Sequence, residues 1–313
     1  VREQVDAGQK VWQTITNPRR ILDDSRDTIE AAAVAARKFL EGAPKTPFNG
    51  PLGIGRTLAW APLSLNEVKS IRNRLGGTVN DVVLTVLAGG LRNYLRTLRF
   101  PIDVEELKVA VPVNVRVANE KANLGNRVSM MLAPLPISIA NPVERLRCVA
   151  AAMDLLKESG QAAQMERLVG LSDVIPPALQ APLARLQPSQ LPVNTVCTNV
   201  PGPRVLRYVL GKQVRTMVPV VPLGAGIGLA FAIMSYSDQL TLGITGDAEL
   251  VPDAWKVADA MHAAFEELWA ATGLERVARD RRIGSALDRR RRFERGEKST
   301  NATSPEDEPP ARA

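Results

Sequence analysis

Few residues in this chain have the type and setting to do chemistry. Asn80 and Asp81 stand at the head of TVNDVVLTVLAGGL, a run otherwise suited to burial. Thr198 and Asn199 close the apolar segment VNTVCTNV just before Pro201-Gly202-Pro203. His262 is the single histidine, in DAWKVADAMHAAFEELW. A hydroxyl or amide can stabilise negative charge on an attacked carbonyl oxygen. The same groups can also finish a strand and start a turn, and Thr198 and Asn199 fit both readings. An imidazole can serve as a base, but His262 borders the stripe Trp255, Ala258, Met261, Phe265, Trp269 and reads as a packing or surface residue rather than a base. One histidine and two distant cysteines offer no metal-ligand spacing. No G-x-S-x-G elbow occurs, and a triad would need that one histidine. GAGIGLA at 224–230 has the glycines of a phosphate loop, but strand-forming residues follow where a helix must begin.

The elements that must position these residues are legible from spacing. Ser64 and Glu67 have capping-box spacing and open a helix to about Leu75, which Gly76-Gly77 stops. Thr78 and Asp81 repeat the box, and Val79, Val82, Val83, Val86, Leu87, Gly90, Leu91, Tyr94 and Leu95 recur at helical steps. Capping accounts for Asp81 and less well for Asn80. Segments 107–116 and 126–139 read as strands, and Asn141-Pro142-Val143-Glu144 opens a helix to about Ser159. Extended segments follow at 193–200, 212–221, 226–236 and 239–247, with Ser237-Asp238 joining the last two as a hairpin. A closing helix is expected from about Pro252 to Ala271, ending at Gly273. Helical pieces are also expected within 2–41, broken near Asn17-Pro18, and at 161–173 and 176–187. Helices, mixed strands and a closing helix predict an α/β architecture with a mixed sheet and flanking helices.

Composition bounds the rest. A hydrophobic fraction of 45% and a charged fraction of 23% belong to a globular protein with a real core. The net charge of +7 is concentrated: residues 275–298 carry +5, residues 299–313 carry −2, and residues 1–274 hold +4. The basic balance therefore gives little reason to expect a nucleic-acid partner. Cys148 and Cys197 read as buried, reduced fillers of a cytoplasmic protein. No apolar run is long enough for a transmembrane helix. The first residue is Val, already inside an amphipathic pattern, which suggests a start in mid-protein.

GGTVNDVVLTVLAGGLRNYL (76–95), VPVNVR (111–116), LPISIANPVERLRCVAAAM (135–153), NTVCTNVPGP (194–203) and SYSDQLTLGITGDAELVPD (235–253), in this order, resemble the C-terminal region of the wax ester synthase/acyl-CoA:diacylglycerol acyltransferases. The resemblance implies a chloramphenicol-acetyltransferase-like lobe: residues 1–45 as a helical inter-lobe linker, 46–274 as the acyltransferase C-terminal domain, and 275–313 as a disordered charged tail. It also implies transfer of a fatty acyl group from acyl-CoA, a substrate, to diacylglycerol or a long-chain alcohol, with no metal and no further cofactor. The family's base is the second histidine of HHxxxDG in an N-terminal lobe, and this chain contains no such motif. No catalytic residue is therefore expected here, and the N-terminal lobe would be a partner in cis or in trans. Asn80-Asp81 coincides with the family's ND motif. The resemblance implies that Asp81 caps its helix while Asn80 faces the lobe interface in support of the active site, with Thr198 and Asn199 in a possible oxyanion or substrate neighbourhood. Contact with a membrane or lipid-droplet surface is a further implication. The competing expectation is an inactive lobe that acts as a lipid-associated or partner-binding protein.

Overall fold

The computed structural model describes residues 43–103, 106–114, 128–158, 193–224 and 226–276. Helices expected within 2–41 and at 161–173 and 176–187, and nearly all of the tail at 275–313, lie outside the described residues. The described residues from 44 onward belong to one compact unit.

Its frame is a six-stranded mixed sheet. The strands are β1 (Arg56–Ser64), β2 (Leu107–Asn114), β3 (Val128–Leu135), β4 (Thr195–Val200), β7 (Leu229–Tyr236) and β8 (Gln239–Asp247), in the order β1-β8-β7-β4-β2-β3. A separate two-stranded ribbon pairs β5 (Tyr208–Val209) with β6 (Lys212–Gln213). β4 runs parallel to both β7 and β2, and the other neighbours are antiparallel. The β7–β8 hairpin turns at Ser237, whose φ of 54° is the left-handed conformation such tight turns require.

Strand alternation sorts the two faces. Ala59, Leu63, Leu107, Val109, Leu135, Cys197, Phe231, Leu242 and Ile244 join one core with the helices. Four helices supply the other half of that core: α1 (Leu65–Leu75), α2 (Val79–Thr97), α3 (Pro142–Glu158) and α4 (Ala254–Ala270). α2 is buried from Asp81 through Leu91, because its apolar residues surround most of the helix. Gly89 and Gly90 let α3 and α4 approach it. A Cβ on Gly89 would strike the Arg145 guanidinium and stand 2.9 Å from Ala264 Cβ, and one on Gly90 would stand 2.9 Å from the Met261 Cα.

The segment 212–221, read from sequence as extended, forms a strand only at Lys212–Gln213. Pro219 and Pro222 have no N–H for a ladder. The Pro219 carbonyl instead occupies the space that a side chain on Gly243 would fill. Cys148, expected to be buried, is half-buried on α3, while Cys197 is buried as expected.

Candidate functional site

Gly76 and Gly77, with φ of 94° and 79°, end α1 and turn the chain into α2 in a conformation only glycine adopts cheaply. Thr78 then caps α2: its Oγ1 accepts from Asp81 N at 3.2 Å, and Asp81 Oδ2 accepts from Thr78 N at 2.7 Å. Asp81 is fully buried, and its Oδ1 has no partner among the described residues. Asn80, one residue earlier, is half-buried, and its amide makes no hydrogen bond with another described residue. The two neighbours therefore differ in kind. Asp81 is committed to holding the helix start, and Asn80 remains able to bond with something else.

Thr198 and Asn199 sit near the end of β4, half-buried and exposed respectively. Cys197 points into the helix-side core, so alternation sends Thr198 to the opposite face and Asn199 to the side that bears α2. The two side chains diverge, so only one of them can face a given carbonyl. Next to them, Gly202 N donates to Ser235 Oγ at 3.3 Å, and a Cβ there would collide with the Ser235 carbonyl, which fixes where the chain leaves the sheet. His262 lies on α4 with Nε2 3.5 Å from Glu266 Oε1, one helical turn away. That places it beside a surface carboxylate of its own helix, next to the Met261 that packs on Gly90. Among the described residues, His, Cys, Asp and Glu side chains form no group of three that could hold a metal ion. No described helix is long and apolar enough to cross a membrane.

Three polar nodes that brace this frame were not singled out from sequence. Arg145 is fully buried in α3, where Nε donates to Ile139 O at 3.0 Å and Nη2 to Ala140 O at 2.8 Å. Burial lowers its pKa, with the Glu267 charge opposing that shift and Arg92 adding to it. Arg92 Nη1 clamps the same β3–α3 turn through Ile137 O at 2.7 Å and Ser138 O at 3.0 Å. Asn194, also fully buried, accepts from Lys108 N at 2.9 Å and donates to Asn49 Oδ1 at 3.0 Å, tying the 43–50 loop to β2. Asp247 opposes its own burial by accepting from Glu249 N at 3.0 Å, Leu250 N at 3.2 Å and Gly53 N at 2.9 Å, and by pairing with Arg56 Nη1 at 3.0 Å. Burial alone would raise its pKa, but those backbone donors and the Arg56 charge hold it below the ordinary carboxylate value. The one sequence signal for these nodes was polar residues inside apolar motifs, as in LPISIANPVERL and GITGDAEL.

Comparison with known proteins fits this frame. The wax ester synthase/diacylglycerol acyltransferase catalytic-domain model matches residues 2–83, and the WS/DGAT C-terminal-domain model matches residues 124–269. "Probable diacyglycerol O-acyltransferase tgs1" of Mycobacterium tuberculosis (strain ATCC 25618 / H37Rv) is 32% identical over 275 residues, covering 85% of this chain and 59% of that protein. A second protein of that strain, named in the same class, is 35% identical over 233 residues, covering 72% of this chain and 46% of its own length. The chain thus spans about half the length of the curated relatives it matches. The wax ester synthase/diacylglycerol acyltransferase from Marinobacter aquaeolei VT8 superposes with a TM-score of 0.61 at 25% identity, over 79% of this chain and 57% of that one. Two family models, their order along the sequence and the shared α/β frame agree: the chain belongs to the wax ester synthase/diacylglycerol acyltransferase family.

Proposed function

We propose that this chain forms the C-terminal half of an O-acyltransferase that moves a fatty acyl group from acyl-CoA to diacylglycerol or to a long-chain alcohol. The product would be triacylglycerol or a wax ester. The observation that carries this reading is the match of both family models in order along the chain. In the reaction, a base removes the proton of the acceptor hydroxyl, the oxygen attacks the thioester carbonyl, and CoA leaves as the thiol. The base comes from an HHxxxDG-bearing lobe, in cis or in trans, since this sequence contains no HHxxxDG. Acyl-CoA is a substrate, and the chemistry calls for no further cofactor. The setting we infer is cytoplasmic, at a membrane or lipid-droplet surface.

Within that assembly, Asn80 turns its unengaged amide to the partner lobe and steadies the active-site backbone or side chains there. Asp81 supports it indirectly by fixing the first turn of α2. Either Thr198 or Asn199, but not both, can lie beside the reacting carbonyl, because they leave β4 in opposite directions. The test is turnover of the two-lobed assembly carrying Asn80→Ala. A fall of tenfold or more with unchanged melting is expected, on the order of one lost transition-state hydrogen bond. Unchanged turnover would retire the interface role.

A further inference from the structure

The face of the sheet turned away from the helices carries polar groups that the fold does not use. On β8, Leu240, Leu242 and Ile244 enter the helix-side core, so Gln239, Thr241, Gly243 and Thr245 project from the other face. Gln239, Thr241 and Thr245 are buried, at 4%, 0% and 4% exposure. Yet the two threonine hydroxyls and both ends of the Gln239 amide have no hydrogen-bond partner among the described residues. A buried hydroxyl or amide without a partner is costly, and native proteins tolerate few of them. Valine would fill either threonine position at no such cost, so the hydroxyls serve something other than packing. From Gln239 to Thr245 these groups form a line about 20 Å long.

The surroundings of the line suit a slender ligand. Its neighbours on the same face are small: Ala230 lies opposite Thr245, and Ala232 opposite Gly243. Thr198 pairs with that same Ala232, so it stands on this face two strands from Gly243, about 10 Å away, while Asn199 turns from it. Residues 217–223 pass over the line, with the Pro219 carbonyl against Gly243. Met217 to Leu223 make no hydrogen bond with a described residue, and Pro219 and Pro222 have no N–H to give. This cover is laid on the sheet by packing, so lifting it breaks no backbone bond to a described residue. Gln239 offers both N–H donors and a carbonyl acceptor, and each threonine hydroxyl gives and accepts. A secondary amide answers donor and acceptor together, which an ester or a hydrocarbon does not. A slender chain with amides along it and a thioester at its end is the pantetheine arm of an acyl-CoA.

We propose that Gln239, Thr241 and Thr245 bind the pantetheine arm of the acyl donor beneath the 217–223 cover, which puts Thr198, and not Asn199, on the donor's face of the sheet. The proposal rests on the acyl-CoA reading above and adds to it a subsite within this chain. Purified full-length chain is titrated by calorimetry with S-hexanoyl pantetheine, which lacks the nucleotide, and with S-hexanoyl mercaptoethanol, which lacks the amides. Wild type is expected to bind the first and not the second. Thr241→Val and Thr245→Val should each bind it roughly tenfold more weakly while melting at the same temperature or higher, since each loses an unpaired buried hydroxyl. No wild-type binding, or equal binding of the two thioesters, overturns the proposal. So does full binding by both valine variants, which would assign the hydroxyls to buried water, and so does a lower melting temperature in both, which would assign them to the fold. In the two-lobed assembly the same variants should raise KM for acyl-CoA with kcat little changed. Turnover with unaltered KM would sink the subsite and spare the acyl-transfer reading, whereas pantetheine binding without turnover would do the reverse.

Discussion

Replacing Asn80 and Asp81 one at a time with alanine separates two side chains that share a motif but not a role. For Asp81 the loss is the charge-assisted bond to Thr78 N at 2.7 Å, roughly 1.5–3 kcal/mol gross. Two terms offset it: removal of the buried, unpartnered Oδ1, and the better helix propensity of alanine, about 0.5 kcal/mol. The net is a loss of about 1–2 kcal/mol, within the usual range for a helix cap. For a unit of this size that lowers the melting temperature by roughly 3–6 °C. Asn80 gives up no hydrogen bond to a described residue, so Asn80→Ala should change stability by less than about 0.5 kcal/mol. Thermal unfolding followed by circular dichroism reads both variants. Equal destabilisation by the two would refute the division of roles, because Asn80 would then be structural.

Gly90→Ala gains helix propensity but forces a Cβ against the Met261 backbone, so overpacking should win and lower stability by about 1–2 kcal/mol in denaturant titration. Asp247 has a folded pKa held below its unfolded value of about 3.9, so its contribution is present above that pH and is lost as pH falls through the depressed folded value. Asp247→Asn should accordingly flatten the acid limb of the stability profile measured by urea melts from neutral pH downward. The Cys197 thiol is buried and pushed up to about 12, so a thiol reagent should leave it unmodified in the native chain and react only with Cys148. Modification of two thiols without unfolding would place Cys197 outside the core.

Local grammar carried most of the fold. Asn141 caps α3 as its spacing implied, accepting from Val143 N at 2.9 Å and Glu144 N at 3.2 Å. Thr78-Asp81 forms the full reciprocal box. The Ser64 box is only half made, because the Glu67 carboxylate turns to Arg276 at 3.0 Å, a partner 209 residues away that no local rule reveals. The position of β4 between β7 and β2 was likewise out of reach, since parallel neighbours are joined through distant crossovers. The run VRTMVPVV looked like a strand because valine favours strands, and Pro219, with Pro222 just after the run, removed the ladder that would have made it one. At the site, Asn80 and Asp81 were visible as polar residues in an apolar helix, but only the structure shows that Asp81 bonds Thr78 while the Asn80 amide bonds no described residue. The buried Arg145 was hidden for the opposite reason: a charged residue in a helix reads as solvated until its carbonyl acceptors are seen.

The most direct measurement is release of free CoA from a long-chain acyl-CoA in the presence of diacylglycerol. The chain by itself should release none, and adding an HHxxxDG-bearing lobe should start the reaction, which Asn80→Ala then slows. Robust release by the chain alone, abolished by His262→Ala, would contradict the account, because the base would then lie within these residues.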